Sequence, residues 1–203
     1  MTIPVPDAPQ FGDPLPPTPS PDVLAFLARR RSASALTLRA PGPTAEDLAI
    51  LLRLAVRVPD HGKLAPWRFL VLEGAAKGAV AGRLTALAGA RPDAPKAQAA
   101  LGKFTNPPLA VCVVSKITPG DIPEWEQQMS AGAVCLTLLN AATAMGYGAN
   151  WITDWYAYAD ETRSVFELGE GERIAGFIYI GTPADAPLER VRPDVIGLTT
   201  WPK

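Results

Sequence analysis

The 203-residue sequence predicts a single domain of α+β or α/β class, with helices packed on a central sheet. Three observations lead there. Short apolar runs rich in β-branched and aromatic residues, at 67–73, 109–115, 148–153 and 174–180, are separated by helical stretches. Two of those helical stretches open on recognisable cap residues. Finally, residues 127–153 contain no charged side chain, which calls for a helix buried on nearly all sides.

Taken in order, residues 1–20 form an extended arm. Eight of the 22 prolines fall in residues 1–21, where the only charges are Asp7 and Asp13 and no apolar periodicity exists. The domain then occupies 21–203. Ser20-Pro21-Asp22 signals a helix start, with Ser as N-cap, Pro at the first helical position and an acid in the first turn. Val23, Leu24, Leu27 and Ala28 give this helix a short apolar face that ends at Arg29-Arg30-Arg31-Ser32. Thr44-Ala45-Glu46-Asp47 is close to a capping box and precedes a stripe of Leu48, Leu51, Leu52 and Ala55, which should stop before Pro59. WRFLVLE (67–73) and LAVCVVS (109–115) read as strands, and the Ala-rich stretch 75–89 between them as a helix.

The uncharged stretch raises the question of a membrane span. Gln127, Gln128, Asn140, Asn150 and the Gly146/Gly148 pair interrupt it, leaving about fifteen mostly apolar residues against the roughly 20 that a bilayer requires. A buried helix near 131–145, a candidate dimer core, fits better. GANWIT (148–153) and IAGFIYI (174–180) are the remaining strands, the second closed by Gly181-Thr182-Pro183.

Composition narrows the function. A net charge of −1 and the lack of a long Lys/Arg run argue against nucleic acid. Cys112 and Cys135 sit in apolar contexts without CxxC spacing and read as small buried hydrophobes, and a single histidine, His61, argues against a metal site. No Lys or Arg precedes Arg29 and no apolar signal region is present, so a cytoplasmic location is expected. No P-loop or G-x-S-x-G occurs, and Gly146-Tyr147-Gly148 is followed by Trp151 where a dinucleotide fingerprint needs a third glycine.

What remains is a set of clusters suited to a flat, phosphorylated cofactor. Arg30, Arg31 and Ser32 offer guanidinium forks and a hydroxyl to a phosphate, although arginines in a last helical turn also serve the helix dipole. Arg57 and His61 flank Pro59-Asp60 in a stiffened turn that leads to Pro66-Trp67, and an ordinary polar loop would look the same. The glycines of 146–153 allow close backbone approach to a ligand or, alternatively, cap a helix that feeds a buried strand.

Five ordered blocks resemble the nitroreductase family, in particular its small YdjA-like branch, from about residue 24 to about 183. They are Arg30-Arg31-Ser32-Ala33-Ser34; Arg57-x-Pro59-Asp60-His61 with Pro66-Trp67-x-Phe69; Trp125-Glu126-Gln127-x-Met129-Ser130-Ala131-Gly132; Met145-Gly146-Tyr147-Gly148 leading to Trp151; and Gly176-Phe177-x-Tyr179-x-Gly181-Thr182-Pro183. The resemblance implies a three-layer α+β fold, a mostly antiparallel sheet flanked by helices, in a homodimer with FMN at the subunit interface and NAD(P)H as co-substrate. It implies that Arg30, Arg31 and Ser32 hold the phosphate and ribityl chain, that Arg57 and His61 reach the flavin of the other subunit, and that Trp151, Ile152 and Thr153 line the isoalloxazine. A looser correspondence ties Ala141, Ala142, Thr143, Ala144, Met145 and Gly146 to the nicotinamide nucleotide. Arg190 or Arg192 is a further candidate for the phosphate.

The implied activity is ping-pong hydride transfer from NAD(P)H through FMN to a nitroaromatic, a quinone or a similar electron-poor acceptor. The flavin carries the chemistry, so no separate catalytic residue is expected. A flavin-storage protein, or a relative acting on a specific metabolite or on reduced flavin and oxygen, would keep the same cradle. One departure stands out: the branch often has Trp-Arg-Ser after the glycine pair, where this chain has Trp151-Ile152-Thr153.

Overall fold

A computed structural model describes residues 4–202. Its regular elements are helix α1 (Pro21–Arg29), strand β1 (Leu38–Arg39), α2 (Ala45–Ala55), β2 (Trp67–Glu73), α3 (Gly74–Ala90), α4 (Ala94–Ala100), α5 (Gly102–Thr105), β3 (Leu109–Lys116), α6 (Glu124–Ala144), β4 (Gly148–Ile152), α7 (Trp155–Tyr158) and β5 (Glu172–Pro183). The cap chemistry read from the sequence starts the first two helices. Ser20 accepts a hydrogen bond from the Val23 amide, and Thr44 Oγ1 accepts one from the Asp47 amide at 3.1 Å.

The strands form one sheet in the order β1-β5-β3-β2, with β4 also paired to β5, and every pairing is antiparallel. β3 lies between β2 and β5 and is buried on both faces, which is why its sequence reads as a continuous apolar run. Its alternate residues divide the interior in two. Ala110, Cys112 and Val114 face a core shared with α3, α4, α5 and α7, while Leu109, Val111 and Val113 face one shared with α2 and α6. The result is an α+β fold with an antiparallel sheet between two helical layers.

Three expectations are adjusted. α6 is not buried on nearly all sides: Gln127, Ala131, Val134, Cys135, Leu138 and Ala142 form its buried face, while Met129 and Leu136 on the other side are exposed. The reason is placement, since the sheet and α2 cover one side of α6 and, among the described residues, none covers the exposed Met129 and Leu136 on the other. The final strand runs to twelve residues, because its ends pair with β1 and with the end of β3. β1, α4, α5 and α7 are additional to the elements read from the sequence.

The arm lies against the end of α2, where Arg53 Nη2 donates to the Pro6 carbonyl at 2.9 Å. Among the described residues no helix is long and apolar enough to cross a membrane.

Candidate functional site

The first cluster stands where α1 ends. The Arg30 amide caps that helix by donating to the Phe26 carbonyl, and the chain then passes through Arg31 and Ser32 without regular secondary structure. Two hydrogen bonds fasten it to β4: the Ala33 amide donates to the Ala149 carbonyl at 3.0 Å, and Asn150 Nδ2 donates to the Ala33 carbonyl. Arg30, Arg31 and Ser32 are thus held half-buried beside the strand that leads into Trp151, Ile152 and Thr153. Arg30 and Arg31 also line a surface hollow with Phe26 and Thr143 of α6. The C-terminal segment returns to the same place, where Arg31 Nε donates to the Leu188 carbonyl at 2.9 Å and Glu189 pairs with Arg192 at 2.9 Å.

At the end of α6 the glycines form the helix cap that one of the two readings expects. Gly146 has φ +89°, its amide donates to Thr143, and the Tyr147 amide donates to Ala142. This is a helix C-cap of the Schellman type. Gly148 is small for packing reasons, because a Cβ there would lie 2.7 Å from Leu38 Cδ2. Within Ala141–Gly146, Ala142 belongs to the core, Thr143 Oγ1 donates to the Leu139 carbonyl at 2.9 Å, and Met145 packs on the second core. Ala144 and Gly146 are left facing solvent.

At β4 the three residues diverge. Trp151 lies over β5: a Cβ on Gly176 would be 2.0 Å from its Nε1, so the absent side chain is what makes room for the indole. Ile152 packs against the first core on the opposite face of the sheet. A ligand lying on the Trp151 face therefore meets Ile152 through its backbone. Thr153 Oγ1 shares a hydrogen bond with the Tyr158 hydroxyl at 2.6 Å.

The loop carrying Arg57 and His61 is docked at the other end of α6. Ser130 Oγ donates to the Pro59 carbonyl at 2.6 Å, the Asp60 carboxylate accepts from the Leu64 and Ala65 amides at 3.2 and 2.8 Å, and His61 Nδ1 meets Glu126 Oε2 at 2.7 Å. Gly62 has φ +71°, a left-handed conformation that side chains rarely adopt, so a glycine suits this turn. Arg57 is exposed beside the arm. Glu126 and Thr143 are separated by roughly 26 Å along the helix at 1.5 Å per residue, so within one chain this loop stands apart from the arginine cluster.

Between these two ends the α6 face holds a cavity of about 300 Å³, lined by Ser115 of β3, Met129 and Gly132 of α6, Trp151, and Arg173 to Ala175 of β5. A β-bulge lies in its wall: the β3–β5 register shifts between Val113 and Val114, so Ala175 is an extra residue on β5. The two cysteines are structural. Burial pushes the Cys135 thiol up to about 12 and raises that of Cys112 as well. Among the described residues no group of three or more His, Cys, Asp or Glu side chains is placed to hold a metal ion.

The family model described as the nitroreductase family matches residues 27–182, more than half of the chain and every element from the end of α1 to β5. The chain belongs to the nitroreductase family. A protein of Escherichia coli (strain K12), YdjA, provisionally named an NAD(P)H nitroreductase, is 37% identical over 165 residues, covering 80% of this chain and 88% of its own length. Among solved structures, a nitroreductase-like family protein from Bacillus cereus superposes with a TM-score of 0.79 at 20% identity, covering 92% of this chain and 98% of its own. A structure from Desulfovibrio desulfuricans, assigned as a nitroreductase and solved in complex with FMN, superposes with a TM-score of 0.69 at 21% identity, covering 91% of this chain and 99% of its own. This chain is therefore an oxidoreductase of the nitroreductase type.

Two features of this nitroreductase were not read from its sequence. The pairing of His61 with Glu126 spans 65 positions, and no local pattern announces it. The cavity at the bulge left a weak trace, a glycine inside an otherwise apolar strand (Gly176), which commonly marks a bulge or a close approach.

Proposed function

We propose that this chain is an FMN-dependent NAD(P)H oxidoreductase that acts as a homodimer in the cytoplasm and passes electrons to a nitroaromatic, a quinone or a similar electron-poor acceptor. The observation that carries this reading is the fastening of Ala33 to Ala149 and Asn150. It makes one continuous rim from the cations of Arg30 and Arg31 to the indole of Trp151. Such a rim suits a molecule with a phosphate at one end and a flat ring system at the other. The cluster keeps donors for a phosphate, since among the described residues the Arg31 guanidinium engages only through Nε, which donates to the Leu188 carbonyl with Glu189 Oε1 3.8 Å away.

FMN, when bound, supplies the group that takes hydride from NAD(P)H and passes electrons onward. The side chains do the rest. Arg30, Arg31 and Ser32 bind the phosphate and ribityl chain, with Arg190 or Arg192 near enough in sequence to the Leu188 contact to assist. Trp151 and the backbone of Ile152 and Thr153 position the ring. The exposed ends at Ala144 and Gly146 leave room for the nicotinamide nucleotide. Arg57 and His61 come to the site from a second copy. Glu126 orients the His61 ring with its N–H at Nδ1, so Nε2 is the nitrogen left to exchange a proton. NAD(P)H and acceptor occupy one face in turn, which gives ping-pong kinetics.

The homodimer is supported by apolar side chains left uncovered in one chain: Val23, Leu24 and Leu27 of α1, Met129 and Leu136 of α6, and Val191, Ile196 and Trp201 of the C-terminal segment. The test is the visible absorption spectrum of the purified protein before and after anaerobic addition of NADPH or NADH. A yellow protein that bleaches rapidly is expected. A colourless protein that cannot be reconstituted with FMN would overturn the reading, and a yellow one reduced only slowly would make it a flavin-storage protein.

A further inference from the structure

The cavity at the β5 bulge has a chemical character of its own. Its walls are mostly apolar: Ile117, Met129, Trp151, Ile174 and Ala175, with Gly132 of α6 providing the space against which the Trp151 ring rests. At about 300 Å³ it is at the small end of ligand pockets. A dry cavity of about half that volume is enough for a benzene ring, so this one accommodates a single ring with a substituent. Three polar side chains interrupt the apolar wall, and one of them, Gln128, already donates to Glu124 Oε1 at 2.8 Å. Ser115 is only 7% exposed, yet its Oγ has no hydrogen-bond partner. A buried hydroxyl left without a partner is unfavourable, and a bound group that accepts a hydrogen bond from it removes that penalty.

The third polar side chain is Arg173, which sits opposite Ser115 in the β3–β5 register and so projects on the same face of the sheet. Among the described residues it makes no ion pair. The nearest acid in sequence, Glu172, is turned to the other face, where Arg68 holds it through bonds of 2.7 and 2.8 Å and keeps its carboxyl down at about 2. No carboxylate lines the cavity. The charge at its edge is the exposed guanidinium of Arg173, which the described residues leave without an ion pair, and beside it lies a buried donor hydroxyl.

We propose that this cavity is a binding site for aromatic carboxylates of one ring. The ring packs against Trp151 and Met129, and the carboxylate accepts from the Arg173 guanidinium and the Ser115 hydroxyl. Its use as an anchor that selects carboxylate-bearing electron acceptors rests on the flavin reading above; binding itself does not. No covalent step is involved.

The experiment is calorimetric titration of benzoate into the purified full-length protein with its flavin, alongside Arg173→Gln and Ser115→Ala. Benzoate is expected to bind, Arg173→Gln to weaken it about tenfold and Ser115→Ala severalfold, in keeping with the loss of a charge-assisted and a neutral hydrogen bond. Cyclohexanecarboxylate, which keeps the charge but not the flat ring, is expected to bind more weakly. In anaerobic turnover with NADPH, the ratio of KM for 4-nitrobenzoate to KM for nitrobenzene is expected to rise about tenfold in Arg173→Gln. If a yellow, reducible protein does not bind benzoate, or binds it equally well as Arg173→Gln, the cavity is not this site, while the flavin reading stands. If the protein is colourless and cannot be reconstituted but still binds benzoate in an Arg173-dependent way, the flavin reading falls and the cavity assignment survives.

Discussion

The two faces of the sheet are built to opposite ends. On the face covered by α3, α4, α5 and α7, the interior is a cluster of rings: Phe104 meets Tyr156, Phe177 and Tyr179 edge-on at 5.7–6.1 Å, and Phe166 meets Phe177 at 5.2 Å. The only hydroxyls in that cluster, on Tyr156 and Tyr179, bond each other at 2.9 Å. On the face covered by α2 and α6, the core beneath α6 is aliphatic, a buried Ser115 hydroxyl has no partner, Trp151 is 37% exposed, and the far side of α6 is apolar and uncovered. One face is finished within the chain. The other is unfinished in the ways that binding requires, and the candidate residues lie on it or along its rim.

Breaking the closed face should cost stability and little else. Phe104 is fully buried and touches three other rings, so Phe104→Ala is expected to destabilise by about 4 kcal/mol and to lower Tm by roughly 10 °C. Thermal unfolding followed by circular dichroism measures this. A loss under about 1 kcal/mol would mean the ring cluster is not the core it looks like.

The next effect is smaller and depends on pH. Glu172, held by Arg68 and the Gly169 amide, has its carboxyl lowered from 4.5 to about 2. A depressed folded-state value stabilises the fold above the unfolded-state value, so the contribution is full above about pH 4.5 and is lost as pH falls toward about 2. Because Arg68 is partly exposed, the pair contributes about 2 kcal/mol rather than the full converted shift. Urea unfolding of wild type and Glu172→Gln should therefore differ by about that amount at pH 7 and converge at the acid end. A constant difference across that range would mean the pair contributes through packing, not charge.

The same contrast explains what was legible in the sequence. Helix starts at Ser20 and Thr44 and the strands β2 and β3 follow from local chemistry: caps, β-branched runs, a strand buried on both sides. α4 and α5 escaped because their signal is a few contacts, Ala97 and Phe104 against the ring cluster, in an Ala-rich stretch with no periodicity. β1 is two residues that become a strand only by meeting Thr182 and Pro183. For the site, the residue types in Arg30–Ser32 and Gly146–Thr153 were visible, and their resemblance to one family was visible too. Their adjacency was not, because it is made by a bond between Ala33 and Ala149. Nor could composition show that Ile152 turns away from Trp151, since this follows from strand alternation once the register is set. Ser115 and Arg173 became a pair only through the register that the bulge at Ala175 shifts.

The smallest expected change in stability is also the sharpest test of the open face. His61 and Glu126 are 63% and 48% exposed in their side chains, and a pair exposed to that degree adds about 0–1 kcal/mol to folding. His61→Ala should therefore unfold within about 0.5 kcal/mol of wild type. If His61 reaches a flavin held mainly by a second copy, the same substitution should weaken flavin retention on the order of tenfold, the scale of one lost charge-assisted contact. Equilibrium dialysis of FMN against the variant and wild type at matched protein concentration reads this directly. Weakened retention at unchanged stability would place His61 in the binding face. Unchanged retention together with unchanged turnover would remove it from the site and leave its bond to Glu126 as a loop fastening, alongside that of Ser130 to Pro59.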